Sequence, residues 1–496
     1  MNNIMKIFSI LATLLLLAIT LHAQDVKLEL SSEIRIEDSK VLTGHLHSNS
    51  SGHYVGFLER PSLFSFGNSV YLTKYDRKFK EVFSKEYQVA DRNVFSLGMQ
   101  YFKGKLIWIQ YKRDNRNDEL IYYAVPIDLN GKAGKAKPIA KFKYKNSRDL
   151  PDVTWKVNQD TSRLLFIAEM DRNRSREDYS AYFAVIDTDL NKVWDNKVKF
   201  PESERQVEAT SFELGVKDQL YFAAKIFDTN ASSGLFRKSF ARMAEYNVNI
   251  VKVTGEGYDK YELDLKNRFI KGIKIVRNPF GNDIACAAMI GDSRSGPIQG
   301  VSYLKLDSET GEVLYAKKRN FTRKELESFG TRNTSRDRRS GDEGLDDEFI
   351  FRDVIYKKDG SYTMLAEEYR VEVRTSTTAN GVSNTSTSFR NNHIITANFD
   401  ADGEVESIRM IPKKYSASKS GTPFANDALE EKTHYMFFST LNSGDNIYYL
   451  YNDDEKNFSR NITNPNRYKT VTNFRECVAV IAHIDENGKL KRKELF

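Results

Sequence analysis

One short element recurs along almost the whole chain and limits the folds that the chain can adopt. It consists of an apolar strand, a turn that begins with Asp or Asn, and a polar strand, as in "FAVIDTDLNKVWD". A short Asp or Asn side chain bonds to the backbone two residues on, and a following Gly or Asn accepts a positive φ, which suits a tight hairpin. The turns begin at Asp76, Asp128, Asp187, Asn247, Asp307, Asp400 and Asp485. The four central copies, from Asp128 to Asp307, follow one another at 59, 60 and 60 residues.

A second hairpin precedes each copy, and its second strand is almost continuously apolar, as in "LLFIAEMD" and "IACAAMIGD". Two hairpins give four antiparallel strands per repeat, and a strand that is apolar on both faces fits burial between neighbouring sheets. Four-stranded sheets that stack radially on copies of themselves form a β-propeller. The sequence therefore predicts an all-β fold, a β-propeller of seven four-stranded blades, or of six or eight if one unit has been split or merged.

The first 23 residues have the layout of a signal peptide. Lys6 precedes an apolar core that is short for a membrane span, and the small residue Ala23 precedes Gln24. We expect export to the periplasm, the cell surface or the medium, and no transmembrane helix in the mature chain. Residues 24–40 are expected to be a short N-terminal segment that adds an edge strand or helps to close the ring, and 41–496 a single propeller domain.

Charge and cysteine content exclude two classes of protein. The formal charge of +7 is spread over 496 residues with acids and bases interspersed, so the sequence does not predict nucleic-acid binding. Cys286 and Cys477 lie in apolar, strand-like segments. We expect buried free thiols there, because an exported chain of this size with two cysteines does not depend on a disulfide framework.

Three later segments carry a resemblance to a known group. "TMLAEEYRVEV", "HIITANFDADGEVESIRMIPKKY" and "YYLYNDDEKN" resemble secreted β-propeller proteins of Gram-negative bacteria, whose blades end in a strand, D-x-(D/N)-G, strand hairpin. The resemblance covers essentially the mature chain. Since the group has no established common activity, the resemblance implies a fold and an exported location, and no catalytic residues.

The second strand of every predicted blade ends near an acid. In a propeller, the loop after this strand lies on the same face as the connections between blades, so the sequence predicts a ring of acids on one face. The candidate ligand-binding residues are Glu59, Asp114, Glu169, Asp171, Asp228, Asp292, Glu368 and Asp453. Acids at strand ends also bind backbone N–H groups and prevent edge pairing, so a structural role is the alternative.

Four long polar connections are predicted on this same face, near residues 320–348, 371–392, 414–432 and 455–473. Long loops in one sector of a rigid scaffold are a usual location for binding residues. Insertion without a selected function is the alternative interpretation.

Motifs of known catalytic and metal sites are missing from the sequence. It contains no His-Glu-x-x-His helix, Gly-x-Ser-x-Gly elbow, phosphate loop or dinucleotide fingerprint, so we predict no catalytic residues, no metal site and no cofactor. His45, His47 and His53 lack an evident fourth zinc ligand. The carboxylate pairs Glu169 with Asp171 and Glu367 with Glu368 suit glycoside chemistry only at the right separation.

These observations favour a non-enzymatic binding or scaffold module outside the cytoplasm. Its partner would be a glycan, a peptide or a protein on the face that carries the acids. One alternative is a glycan-processing hydrolase or lyase that uses a carboxylate pair, and another is a structural subunit of a cell-envelope complex. No motif identifies the ligand or the oligomeric state.

Overall fold

In a computed structural model, the described part of the chain forms seven antiparallel sheets arranged as the blades of a β-propeller. The structure describes residues 40–59, 69–89, 91, 93–144, 150–170, 178–203, 206–227, 246–263, 268–293, 296–329, 344–345, 349–377, 383–420, 436–443, 446–459, 465–473, 477–485 and 487–495. The predicted all-β class and the seven four-stranded blades are confirmed. The predicted signal peptide lies outside the described residues, as does the N-terminal segment except for Lys40.

Each blade is one continuous stretch of chain, and its strands pair in chain order. Blades 1 to 4 contain β1 (Lys40–Asn49), β2 (Gly52–Glu59), β3 (Val70–Tyr75), β4 (Glu81–Tyr87), β5 (Val94–Phe102), β6 (Lys105–Asp114), β7 (Glu119–Ile127), β8 (Lys137–Lys143), β9 (Asp152–Val157), β10 (Leu164–Met170), β11 (Asp178–Ile186), β12 (Lys192–Ser203), β13 (Val207–Leu214), β14 (Leu220–Phe227), β15 (Tyr246–Val253) and β16 (Tyr258–Glu262).

The remaining blades follow the same order, and blade 6 has a fifth strand, β25, which pairs with β23. Blades 5 to 7 contain β17 (Phe269–Arg277), β18 (Asp283–Gly291), β19 (Gly300–Asp307), β20 (Val313–Asn320), β21 (Phe349–Tyr356), β22 (Tyr362–Thr377), β23 (Ser383–Phe399), β24 (Val405–Ile411), β25 (Tyr415–Ser420), β26 (Ser439–Ser443), β27 (Asn446–Asp454), β28 (Cys477–Ile484) and β29 (Leu490–Glu494). Short helices are α1 (Arg323–Ser328), α2 (Glu455–Ser459) and the 3₁₀ turn Pro465–Arg467. Within the described part of the chain, no helix combines the length and the apolar character needed to cross a membrane.

The second strand of a blade is buried on both faces because a neighbouring blade covers each of them. In β10, Phe166 packs with residues of blade 2, whereas Leu165 and Ile167 pack with residues of blade 4. Burial of one such side chain contributes about 1.5–3 kcal/mol. Apolar clusters of this kind connect successive blades from blade 1 to blade 7.

The first strands are the innermost, and they contact one another across blades, as β13, β17 and β21 do. Five of them carry a register shift, which kinks the strand and re-aims the side chains next to it. The shifts lie between Leu42 and Gly44 and between His45 and His47 in β1, and between Ser96 and Gly98, Thr210 and Glu213, Ile270 and Gly272, and Phe351 and Asp353 in the other four strands. At the shift in blade 4, Ser211 adopts φ 56° and its hydroxyl accepts a hydrogen bond of 2.5 Å from the Ile275 N–H of blade 5.

Asp side chains cap the outer hairpins in six blades, as the sequence indicated, but the turn in blade 4 differs. The carboxylates of Asp76, Asp128, Asp187, Asp307, Asp400 and Asp485 each accept backbone N–H groups of their own turn. Asn247, predicted as the turn residue of blade 4, lies instead at the start of β15, and the turn begins at Thr254. The strand continues past Asn249 because the run that follows it, Ile250 to Val253, is mostly apolar and buried.

The predicted loops contain regular structure. The connection expected over 371–392 is wrong as a loop: β22 continues to Thr377, and β23 begins at Ser383 and pairs with it. The Thr-rich, β-branched composition of this segment explains the strands. The described parts of the other three include α1, β25 and α2, respectively. Cys286 and Cys477 are not joined in a disulfide bond; the first is buried and the second is half-buried.

Replacing Asp400 by Ala should lower the free energy of unfolding by about 1 kcal/mol, since capping side chains of this type contribute about that much. The Asp400 carboxylate accepts the N–H groups of Asp402 and Glu404 at 3.0 and 2.8 Å. Asp402→Ala, in the same turn, is the matched control, because the Asp402 side chain is exposed and bonds to no turn N–H. Urea unfolding of both variants measures the difference, and equal loss in the two would contradict the capping role.

Candidate functional site

Six of the eight predicted site residues are described, and they lie at or near the ends of second strands. Glu59, Asp114 and Glu169 lie within the last two residues of β2, β6 and β10, and Asp292 directly follows β18. Glu368 lies where β22 passes the first residue of β21, and Asp453 lies at the end of β27. Asp171 and Asp228 lie outside the described residues.

The acids of blades 1 and 2 are bound to nearby backbone. The Glu59 carboxylate accepts the Ser69 N–H at 3.2 Å. The Asp114 carboxylate accepts the N–H groups of Arg116 and Asn117 at 3.1 and 3.3 Å, and a bond from the Asn117 side chain lowers the pKa of Asp114. Both acids remain partly exposed, so they combine a local capping role with access from solvent.

The acids of blades 3 and 5 are held by side chains. Glu169 accepts the Tyr179 hydroxyl at 2.9 Å, and Asp292 forms an ion pair with Arg268. Glu169 is half-buried and Asp292 is exposed. Their carboxylates are therefore fixed in place on the loop face while still reachable.

The acids of blades 6 and 7 are buried. Glu368 is 8% exposed, and its carboxylate accepts a hydrogen bond from the Asn392 amide at 2.6 Å. Asp453 is 1% exposed, and it accepts the Asn457 amide at 3.0 Å and the Arg492 guanidinium at 3.2 Å. These two carboxylates serve contacts inside the protein.

Burial raises the pKa of Asp453 to about 6, although Asn457 and Arg492 favour the charged form. The pKa of the next residue in sequence, Asp454, is shifted in the opposite direction. Burial also opposes ionisation of Asp454, but hydrogen bonds from Lys469 and from the backbone of Lys456 hold the pKa of Asp454 below its usual value.

A second buried polar cluster lies beside blade 6. The Lys413 ammonium is fully buried and donates to the Asn391 side chain at 3.0 Å and to the Met436 carbonyl at 2.6 Å. Glu367 forms ion pairs with both Lys413 and Arg352. Burial lowers the pKa of Lys413 to about 8, against the attraction of Glu367. Glu367 is therefore engaged by two cations, and the pair Glu367 with Glu368 is not available as two free acids.

The part of β22 and β23 beyond Glu368, with β25, forms a three-stranded ribbon that we call the blade-6 extension. On it, the Glu372 carboxylate lies 3.0 Å from Arg370, 3.2 Å from Arg374 and 4.0 Å from Arg390. Three guanidinium groups around one carboxylate give this ribbon a local positive charge next to the loop face.

Sequence reasoning missed a row of charges on the innermost strands. Lys156 on β9, Glu213 on β13, Lys274 on β17 and Asp353 on β21 come from four successive blades and alternate in sign; we call them the channel row. Lys156 donates to the Phe212 carbonyl at 3.0 Å and forms an ion pair with Glu213, which is 2% exposed. The sequence carried a signal for two of these residues, because Lys156 and Lys274 each interrupt a short, mostly apolar stretch, "TWKV" and "GIKIV".

The other two members of the channel row have perturbed ionisation. Burial lowers the pKa of Lys274, as does the nearby Lys156, while Asp353 and Glu213 oppose the shift. Desolvation raises the pKa of Asp353, opposed by a bond from the Val354 N–H and by the charges of Lys274 and Lys156. The Asp353 side chain is nevertheless exposed to water.

Metal ligands are not grouped in the part of the chain that the structure describes: no three or more His, Cys, Asp or Glu side chains there could hold an ion together. Two of the histidines considered from the sequence make ring contacts. His47 stacks on Tyr101 with centroids 3.5 Å apart, and His53 stacks on Phe79 at 4.5 Å.

Comparisons with known proteins identify no family for this chain. No family model matches the chain, and no curated protein matches it significantly. Similar solved structures include the β-propeller domain of the Trilobed protease from Pyrococcus furiosus, with a TM-score of 0.38, 10% identity, and coverage of 92% of this chain and 98% of that one. Puromycin hydrolase gives 0.33 and 11%, covering 71% of this chain, which spans half of the hydrolase. A Synechocystis apocarotenoid oxygenase gives 0.34 and 9%, with coverage of 72% and 69%.

Asp453 should make the protein less stable as the pH rises, whereas its neighbour Asp454 should have the opposite effect. Its pKa is raised from 3.8 to about 6, which corresponds to about 3 kcal/mol. Because the folded state binds the proton more tightly, the stabilisation is complete below about pH 4 and is lost as the pH rises through about 6. The free energy of unfolding of the wild type, minus that of Asp453→Asn, should fall by up to about 3 kcal/mol from pH 4 to pH 7.

Asp454→Asn is the matched control for this measurement. The pKa of Asp454 is lowered, so the stability it contributes is present at neutral pH and is lost on acidification. The corresponding difference should therefore rise, by a smaller amount, over the same interval. Urea unfolding at both pH values decides the matter, and a flat profile for Asp453→Asn would show that burial does not control this carboxyl group.

Proposed function

We propose that the chain is an exported, non-enzymatic binding propeller, and that a peptide, protein or glycan docks on the loop face, which is the face predicted to carry the loops after the second strands and the connections between blades. The candidate acids predicted for this face, which we call the rim acids, are Glu59, Asp114, Glu169, Asp171, Asp228, Asp292, Glu368 and Asp453. The blade-6 extension carries this proposal. It continues beyond the four strands that the blade needs, it is braced by β25, and it brings Arg370, Arg374 and Arg390 to the border of that face. Export is supported by the apolar N-terminal segment of the sequence.

The rim acids divide by burial into two groups, and the proposal assigns them different roles. Glu59, Asp114, Glu169 and Asp292 are reachable from solvent and are held by fixed partners, so they are assigned to the ligand. Carboxylates held in this way lose little entropy when a donor group binds to them. Glu368 and Asp453 are buried and are assigned to the fold. Asp171 and Asp228 stay in the proposal as sequence-based candidates.

A ligand with donor groups towards the acids and an anionic group towards the arginines would complement both parts of this surface. An acidic or mixed-charge peptide segment meets this description directly. A glycan would use its hydroxyl groups as donors to the carboxylates and would leave the arginines free.

The first test is a thermal-shift screen of the full chain against a panel of glycans, peptides of defined charge and divalent cations. A ligand present at 100 times its dissociation constant adds about 2.7 kcal/mol to the stability of the folded state. The triple variant Asp114→Asn, Glu169→Gln and Asp292→Asn should lose most of the shift. Amide replacements keep an oxygen acceptor for the local hydrogen bonds, so the fold should persist.

The matched control neutralises three exposed acids in outer hairpin turns, on the opposite face: Asp189→Asn, Glu256→Gln and Asp402→Asn. This variant should bind as the wild type does. The proposed function would be overturned if the rim variant kept the full thermal shift. It would also be overturned if no ligand of the panel shifted the melting temperature of the wild type. Consumption of a bound glycan or peptide would show that the protein is an enzyme.

A further inference from the structure

We propose that the channel row is a second binding site, which takes a small zwitterion such as a free α-amino acid. The ligand carboxylate would bind at Lys274 and the ligand ammonium at Asp353. The site lies on the innermost strands and is independent of the ligand proposed for the loop face.

Strand alternation puts all four charges on equivalent faces. Trp155 packs between blades 2 and 3, Phe212 between blades 3 and 4, and Ile273 and Ile275 between blades 4 and 5. Each of these apolar side chains is turned to the preceding blade, so the adjacent charged residue is turned to the following blade. Val354 packs between blades 5 and 6 in the same way and places Asp353 correspondingly.

The channel row contains one pair of residues joined by an ion pair, Lys156 and Glu213, and one pair that is not, Lys274 and Asp353, which we call the open pair. Lys156 reaches across to blade 4, where it bonds to Glu213 and to the Phe212 carbonyl. Lys274 and Asp353 make no ion pair with any described residue, although each acts on the ionisation of the other. The hydrogen bond that the Asp353 carboxylate accepts, 2.8 Å long, comes from the N–H of Val354, its own neighbour.

An open pair of this kind is costly without a ligand. Surrounding protein desolvates both groups, as the lowered pKa of Lys274 and the raised pKa of Asp353 indicate. If the two charges served the fold alone, direct contact would offset that cost, as it does for Lys156 and Glu213. Separated charges of opposite sign that are reachable from water form a receptor with one donor end and one acceptor end.

The balance of charge selects the class of ligand. Two ammonium and two carboxylate groups give the row no net charge, so a simple anion attracted to Lys274 also meets the fields of Asp353 and Glu213. A simple cation meets the opposite problem at Lys274 and Lys156. A molecule that is neutral overall and carries one charge of each sign satisfies both ends at once.

Calorimetric titration of the full chain with single free L-amino acids, and with glycylglycine, tests the inference. At least one of these probes should bind with a dissociation constant below about 10 mM. The N-acetyl derivative and the amide of the best probe each lack one charge, and each should bind at least about tenfold more weakly. Failure of every probe to bind, or equal affinity for the charge-deleted derivatives, would overturn the proposal.

Variants locate the site. Lys274→Met and Asp353→Asn should each weaken binding at least about tenfold, whereas Lys274→Arg, which keeps the charge, should retain it. The Lys274→Arg variant also guards against misfolding as the cause of a loss. Lys260→Met removes an ion-paired lysine from the outer strand of blade 4 and should have no effect.

The loop-face proposal and the zwitterion-site proposal can be tested separately. The rim variant, Asp114→Asn with Glu169→Gln and Asp292→Asn, should bind the amino acid as the wild type does. If the rim variant loses the amino acid while Lys274→Met keeps it, the zwitterion site is not in the channel and this inference is wrong. If both keep it, the channel row is likewise excluded.

Discussion

Burial of the two middle strands on both faces controls the rest of this structure. A strand such as β10, whose Leu164, Leu165, Phe166, Ile167 and Ala168 are all buried, needs an apolar partner on each side of its sheet. A single blade cannot supply two partners, so its stability depends on both of its neighbours. The apolar clusters between successive blades meet this requirement, and the radial arrangement follows from it.

The two candidate sites lie in places that this packing leaves open, namely the innermost strands and the loop face. The innermost strands have one free edge and carry register shifts, which gives Lys274 and Asp353 access to solvent without opening the apolar interfaces. The loop face tolerates charges for the same reason. A carboxylate such as Asp453, which the fold covers, requires a guanidinium and an amide close by.

The fold was predictable because its signals are local. An Asp turn and a continuous apolar strand are each read within about ten residues, and their repetition gives the blade count. The turn predicted at Asn247 was wrong. The short polar side chain of Asn247 is typical of a turn residue, but the strand continues through buried Val248 and Ile250. The candidate site was predictable only in part. The burial of Asp453 depends on Arg492, 39 residues further along the chain, and the channel row depends on strands 57 to 79 residues apart. Pairings over such distances are set by the tertiary structure.

Because every blade is one continuous segment, most contacts within a blade join residues close together in sequence, and its hairpins close with little loss of chain entropy. Blades can therefore form one after another as the chain becomes available. At each stage the newest blade presents an uncovered apolar face. For blade 6 that face includes Leu365, Ile394 and Ile411, which pack against Tyr449 and Val480 of blade 7. Blade 7, residues 439–494, thus protects the earlier blades from self-association, and a chain that stops short of it would expose this surface.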